Sequence, residues 1–222
     1  MENELVVKND FQVAEFTKEA TENLAGITLE FPQLKIPSGG NLFFDIEDEP
    51  VKEFTGVIVS HGPMHSYYST AFDGSNTPPD CFSKDGVTGN WRKCDTADGE
   101  AVYESRECAS CPYSKFGSDK NGGKACKEKH QLYILMSGQI VPYMLLLPVS
   151  STGVLNTYAT SLFTRGKFLS DVVTSFSLEK ATNKTNIQYS KIVMKKVREL
   201  TADEKAALKN TIDLVRQANG QN

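Results

Sequence analysis

Five cysteines fall between positions 81 and 126 of a 222-residue chain: Cys81, Cys94, Cys108, Cys111 and Cys126. Cys108-Ala-Ser-Cys111 is a Cys-x-x-Cys pair followed by Pro112. A tight turn there points two thiolates at one ion, about 2.3 Å from each sulfur, the geometry zinc prefers. Two further cysteines in the same stretch complete a tetrahedral set. Spacing favours Cys81, Cys108, Cys111 and Cys126 with Cys94 spare; Cys94 in place of Cys81, or His130 in place of Cys126, are the alternatives. Four protein ligands leave no open position, so such a zinc is structural and supplies folding free energy of roughly 10–16 kcal/mol in comparable small sites. A four-cysteine iron–sulfur cluster is the competing metal reading, because thiolates suit both. A thioredoxin-like redox pair needs a βαβ setting, and the local pattern offers none.

Other candidate chemistry is thinner. His61-Gly-Pro-Met-His65 has the spacing of a helical metal pair, but Gly62 and Pro63 disfavour a helix and suggest turn histidines. Asp73, Asp80 and Asp85 suit magnesium in a nuclease, yet acids in a Gly/Pro-rich stretch usually serve turns. Gly117-Ser-Asp-Lys-Asn-Gly-Gly-Lys124 fails as a phosphate loop, since Gly123 intervenes before the lysine and Ala125 follows it. With no nucleophile elbow or His-Glu-x-x-His helix, catalytic residues are not expected.

Aromatic residues beside cations suggest a binding surface instead. Trp91-Arg92-Lys93 sets the sole tryptophan next to two positive charges, and Tyr67, Tyr68 and Phe72 cluster nearby in sequence. Bases stack on such rings while cations neutralise phosphates. Lys120, Lys124, Lys180 and Lys184 are further candidates to meet a nucleic-acid backbone. Net charge is −4 overall but unevenly spread: residues 1–54 carry four lysines and twelve acids, whereas residues 110–200 carry thirteen lysines and arginines and five acids. This asymmetry suggests a basic working surface with an acidic appendage, and acidic surface can equally meet a basic protein partner.

The elements that must position these residues follow from periodicity. Asn9 to Leu24 reads as an amphipathic helix. Phe54 to Ser60 reads as a strand, His61-Gly-Pro63 as a turn and Ser66 to Phe72 as a second strand, making a hairpin. Residues 73–130 lose apolar periodicity, too long a stretch for a structureless loop, so the cysteines are its expected organiser. Leu132 to Met136 and Val141 to Leu147 are strands. A helix capped by Ser151 or Thr152 runs to Gly166, and strands follow at 171–178 and 187–197 around a loop containing Lys180 and Lys184. Thr201-Ala-Asp-Glu204 is a capping box opening a last helix with Leu208, Ile212 and Val215 on one face. The expected fold is mainly β (α+β): a five-stranded OB-type Greek-key barrel with a zinc-binding insertion between its second and third strands, plus N- and C-terminal helices. Three parts are expected: an acidic segment 1–50, a barrel 51–198 containing insertion 73–130, and a final helix 199–222. The acidic N-terminus lacks an apolar leader pattern and no run reaches membrane-helix length. A cytoplasmic location with no membrane partner is therefore expected.

Pro78-Pro-Asp-Cys81, Ser83-Lys-Asp-Gly-Val-Thr-Gly89, Cys108-Ala-Ser-Cys-Pro112, Phe116-Gly-Ser-Asp119, Gly123-Lys-Ala-Cys-Lys127, Leu132-Tyr133 and Leu178-Glu-Lys-Ala-Thr182 occur in this order. Together they resemble a family of small bacteriophage and prophage proteins, OB-fold single-stranded DNA-binding proteins with a zinc-type insertion. The resemblance spans about residues 50–195. It implies Cys81, Cys108, Cys111 and Cys126 as the shared cysteines, single-stranded DNA as the ligand, a bacterial host cytoplasm, and a role in DNA replication or recombination beside phage or host proteins. Cys94, the acidic segment and the final helix fall outside the shared pattern. The C-terminus is not the acidic partner-recruiting tail of such proteins, and the last helix reads as a docking or homodimer element. A protein-interaction module, such as a replisome adaptor or host-factor inhibitor, and a metal-dependent nuclease are the alternative readings.

Overall fold

The computed structural model describes residues 22, 30–37, 39–70, 77–96, 98–183 and 186–218. The helix expected over Asn9 to Leu24 lies almost wholly outside them, as do Phe72, Asp73 and Lys184. The strands are β1 (Gln33–Leu34), β2 (Phe44–Ile46), β3 (Glu49–Val51), β4 (Glu53–Tyr67), β5 (Cys81–Ser83), β6 (Thr88–Asp95), β7 (Ala101–Glu107), β8 (Lys127–Met136), β9 (Tyr143–Leu147), β10 (Val172–Thr182) and β11 (Gln188–Glu199). The helices are α1 (Val149–Phe163) and α2 (Ala202–Ala218). The chain is thus mainly β, with a large mixed sheet and two α-helices among the described residues. Among those residues no helix is long and apolar enough to cross a membrane.

The chain divides into two compact units. The first comprises residues 1–60, 133–145 and 154–222, and the second residues 61–132 and 146–153. In the first unit the strand neighbours run β1-β9-β8-β4, with β10 paired to β4 and β11 to β10. The described ladder does not close on itself into a barrel. The centre of β4, Gly56-Val-Ile-Val59, is a continuous buried run, as expected of a strand covered on both faces. Val57, Val59, Tyr133, Leu135 and Val173 form one core with Leu200, Leu208 and Val215. Each large apolar side chain buried there contributes roughly 1.5–3 kcal/mol. On another side Phe54 stacks on Phe176 at 4.9 Å and meets Phe44 edge-on at the same distance.

The capping box that opens α2 is present: the Thr201 N–H donates to Glu204 Oε2 at 2.7 Å, and the Glu204 N–H donates to Thr201 Oγ1 at 3.3 Å. Arg198 at the end of β11 adds a bidentate grip on the same carboxylate, at 2.8 and 2.6 Å. These hydrogen bonds hold the Glu204 carboxyl, against the opposing effect of burial, down to about 2.

The second unit departs from the sequence expectation. His61-Gly-Pro63 does not turn, and the two strands expected around it are one, β4. The β4–β5 ladder covers only His65 to Tyr67, so the missing N–H of Pro63 falls outside it. The hairpin reading gave too much weight to a Gly-Pro dipeptide. Its loss also moves the cysteine segment to the connection between β4 and β8. That segment is not structureless either: β5, β6 and β7 form an antiparallel meander on β4. Its alternation was hidden because most of β7 is exposed, Val102 and Tyr103 included, so no period-two pattern of apolar residues marks a buried face. Lys180, expected in a loop, lies on β10, since the β10–β11 ladder runs out to Thr182 opposite Gln188.

Candidate metal centre and nucleic-acid interface

Register builds the site in the second unit. Tyr67 on β4 pairs with Cys81 on β5, and Cys81 pairs with Trp91 on β6. The three side chains therefore form a row across one sheet face. Cys108 follows β7 and is fixed by its N–H to the Val87 carbonyl at 2.8 Å. The Cys111 N–H folds back to the Cys108 carbonyl at 3.2 Å, closing the Cys-x-x-Cys turn, and Pro112 opens a short 3₁₀ turn to Ser114. The Cys126 N–H donates to the Tyr113 carbonyl at 2.9 Å, returning the chain to the site just before β8.

Cys81, Cys108, Cys111 and Cys126 thus line one cavity of about 20 Å³, the scale of a single water-sized occupant. Exposed Cys94 does not line it. Gly89 sits at its wall: a Cβ there would stand 3.1 Å from Cys81 Sγ and 3.6 Å from Cys108 Sγ. Burial, and then the neighbouring Cys126, Cys108 and Cys111, push the Cys81 thiol up to about 11, with Arg106 opposing. Burial likewise raises the thiols of Cys108 and Cys126. Among the described residues no three His, Cys, Asp or Glu side chains are drawn together at metal-binding distance. The four thiols surround the space without closing on it. As a donor set they fit a soft, closed, four-coordinate ion.

The cavity wall is aromatic. Tyr67 and Tyr113 stack at 4.1 Å, each lies 5.6 Å from Trp91 in near-parallel orientation, and the Arg106 guanidinium sits 4.4 Å over the Trp91 ring. Trp91 is therefore half-buried and engaged on its ring, where the sequence suggested a free stacking surface. Arg92 binds Asp95 at 2.6 Å, Lys93 binds Glu104 at 3.3 Å and Lys124 binds Glu128 at 2.6 Å. Lys120 and Lys180 are exposed, and Tyr68, one residue past β4, is 47% exposed.

His61, His130, Asp80 and Asp85 are engaged in local hydrogen bonds. His61 Nδ1 and His130 Nε2 are 3.0 Å apart, one ring donating to the other. Burial lowers the pKa of both, and His61 lowers that of His130 further. His130 does not line the cysteine cavity, whereas His65 does, with its buried Nδ1 lacking a hydrogen-bond partner. Asp85 Oδ1 accepts from the Ser83 hydroxyl and from the Val87 and Thr88 N–H groups, each at 2.8 Å. Asp80 accepts from the Ser69 N–H at 2.6 Å. Both acids serve turns.

Sequence reasoning passed over Phe116. It is 82% exposed and stands in a loop between Cys111 and Cys126 that is wired around Ser118. The Ser118 hydroxyl lies 2.9 and 2.6 Å from the Tyr113 and Lys115 carbonyls and accepts from the Ala125 N–H at 2.9 Å. The Gly117 N–H reaches the Gly122 and Gly123 carbonyls at 3.1 Å. Lys127 grips Asp119 at 2.9 Å, and Lys124 Nζ lies 5.2 Å over the Phe116 ring. The available signal was compositional: one aromatic in a run otherwise made of Gly, Ser, Lys and Asp. No family model, curated protein or solved structure matches the chain.

Proposed function

We propose that this protein binds single-stranded DNA with little sequence preference and without catalysis, and that a zinc ion held by Cys81, Cys108, Cys111 and Cys126 fixes the loop that does so. The observation that carries this reading is the Phe116 loop. It combines an almost fully exposed ring with Lys115, Lys120 and Lys124, and its two ends are cysteines of the cavity. An exposed phenyl ring with the Lys124 ammonium 5.2 Å from its centroid offers a base a stacking face and phosphates a counter-charge. Zinc, once bound, would replace the apolar core that this unit lacks.

The strand order supports an OB-type ancestry for the first unit. Three strands (β4, β8 and β9), helix α1, and two more strands (β10 and β11) follow the OB sequence of elements. On that reading the cysteine segment is the connection between the first two strands, a position where OB folds carry a nucleic-acid-binding loop. The motif string that resembles phage single-stranded DNA-binding proteins points the same way.

The second reading is a protein-docking module. It is favoured by the pairing of Arg92, Lys93, Lys124 and Lys127 with neighbouring acids and by the net charge of −4. Exposed pairs of this kind are worth about 0–1 kcal/mol and open readily for a phosphate. Fluorescence anisotropy of labelled oligo(dT) across a salt series separates the two readings. A linear fall of log K with log salt supports the first, and no binding at low salt leaves the second.

A further inference from the structure

In the first unit α1 ends in a rigid frame that holds two phenyl rings in solvent. The Lys167 N–H donates to the Leu162 carbonyl at 3.1 Å and the Gly166 N–H to the Phe163 carbonyl at 2.9 Å, with Gly166 at φ +67°. This is a Schellman cap, and it needs the left-handed conformation that glycine adopts freely. The chain is fixed again one residue later. The Phe168 N–H donates to Asp171 Oδ2 at 2.7 Å, the Asp171 N–H returns to the Phe168 carbonyl at 3.0 Å, and Lys205 holds Asp171 at 2.6 Å. Between these clamps Phe163 is 68% and Phe168 61% exposed, their ring centroids 6.1 Å apart. Nothing in the frame requires a large apolar side chain at either position.

The surroundings narrow the partner. The solvent face of α1 beside the rings is polar: Asn156, Thr157, Thr160 and Ser161 are all exposed. At this end of α1 the apolar area among the described residues is therefore the two rings, small for the desolvated centre of a protein–protein interface. It suits partners that present flat faces singly, as the bases of an unpaired strand do. Exposed Arg165 lies between the rings in sequence and makes no ion pair among the described residues, and Lys167 stands beside it, paired to Glu199 at 2.9 Å. Arg165 and Lys167, adjacent to the rings in sequence, supply the positive charge a single-strand platform needs.

We infer that Phe163 and Phe168, with Arg165, form a second base-stacking platform for single-stranded DNA, separate from the Phe116 loop. The inference rests on the single-strand binding proposed above.

The test is oligo(dT) anisotropy with the full chain in five forms: wild type, R165Q, F116A, F163A/F168A and F163L/F168L. The rings are exposed, so thermal melts of the last two should match wild type. Both are expected to weaken binding about tenfold or more, the leucine variant as much as the alanine one, because stacking needs the ring. R165Q should lower the salt slope by about one. Wild-type affinity in F163A/F168A while F116A is weakened would overturn this platform and leave the proposed function standing. Retention by F163L/F168L would also overturn it, showing a merely apolar contact. Absence of oligo(dT) binding by wild type would overturn both.

Discussion

Tyr67 and Trp91 are two strands apart yet stack with centroids 5.6 Å from each other, because the residue between them in the register row is Cys81. A small side chain at the middle position lets the two rings lean together beside it, and Tyr113 joins them from the Cys-x-x-Cys turn. The aromatic wall and the cysteine cavity are thus one assembly, and each prediction about one can be read through the other.

The metal-ligand set predicts about one zinc per chain in protein purified without chelator. Cys81→Ser, Cys108→Ser, Cys111→Ser and Cys126→Ser should each lose it, while Cys94→Ser should keep it. Elemental analysis of the five variants decides the matter. Cobalt substitution adds a spectroscopic check, since four thiolates give an intense charge-transfer band. Full metal retention by two or more of the first four variants would remove the assignment.

Gly89 supplies a steric test that leaves every sulfur in place. The Cβ that Gly89→Val introduces would stand 3.1 Å from Cys81 Sγ, tighter than ordinary van der Waals contact, and its methyl groups would crowd the cavity further. Metal content should fall while the first unit's melting transition stays unchanged. Undiminished zinc in this variant would show that the sulfurs converge elsewhere.

Trp91→Ala should act on stability before affinity. The ring is sandwiched by Arg106 and two tyrosines, so its removal is expected to cost about 1–3 kcal/mol, from lost stacking and partial burial. Chelating the metal from the wild type should shift the emission of this sole tryptophan to the red as the wall loosens. Unaltered emission on chelation would uncouple the wall from the metal site.

Glu204 gives a pH dependence of known sign. Its carboxyl is held at about 2 in the folded state against an ordinary value of 4.5. A depressed carboxyl stabilises the fold above its unfolded pKa and loses that contribution as pH falls from about 4.5 towards 2. Urea midpoints of wild type and Glu204→Gln should therefore differ most near pH 6, draw together as pH falls below about 4.5, and converge only at about pH 2 and below. A gap independent of pH would show that the charge of Glu204 is not what stabilises α2.

Cys81, Cys108, Cys111 and Cys126, the set that spacing favoured over its alternatives with Cys94 or His130, line one cavity, because cysteines in a loop-rich stretch have few other roles. Thr201 and Glu204 announced the start of α2 because a capping box is local. What escaped depended on distant neighbours. Gly62-Pro63 looks like a turn until β4 is seen to continue past it with β5 beginning only later. The face of Trp91 looks available until Arg106, fifteen positions on, is folded over it by the β6–β7 ladder. Exposure of Phe116, Phe163 and Phe168 is set by wired loops and caps whose effect on a single side chain has no periodic signature.

The central claim is that the cysteine-held metal presents the Phe116 loop to single-stranded DNA. Oligo(dT) affinity before and after chelation, and again after adding zinc back, tests it most directly. The account predicts a loss of about tenfold or more on metal removal that zinc restores, with F116A protein already weakened and responding little to the chelator. Equal affinity in the metal-loaded and metal-free protein would contradict it.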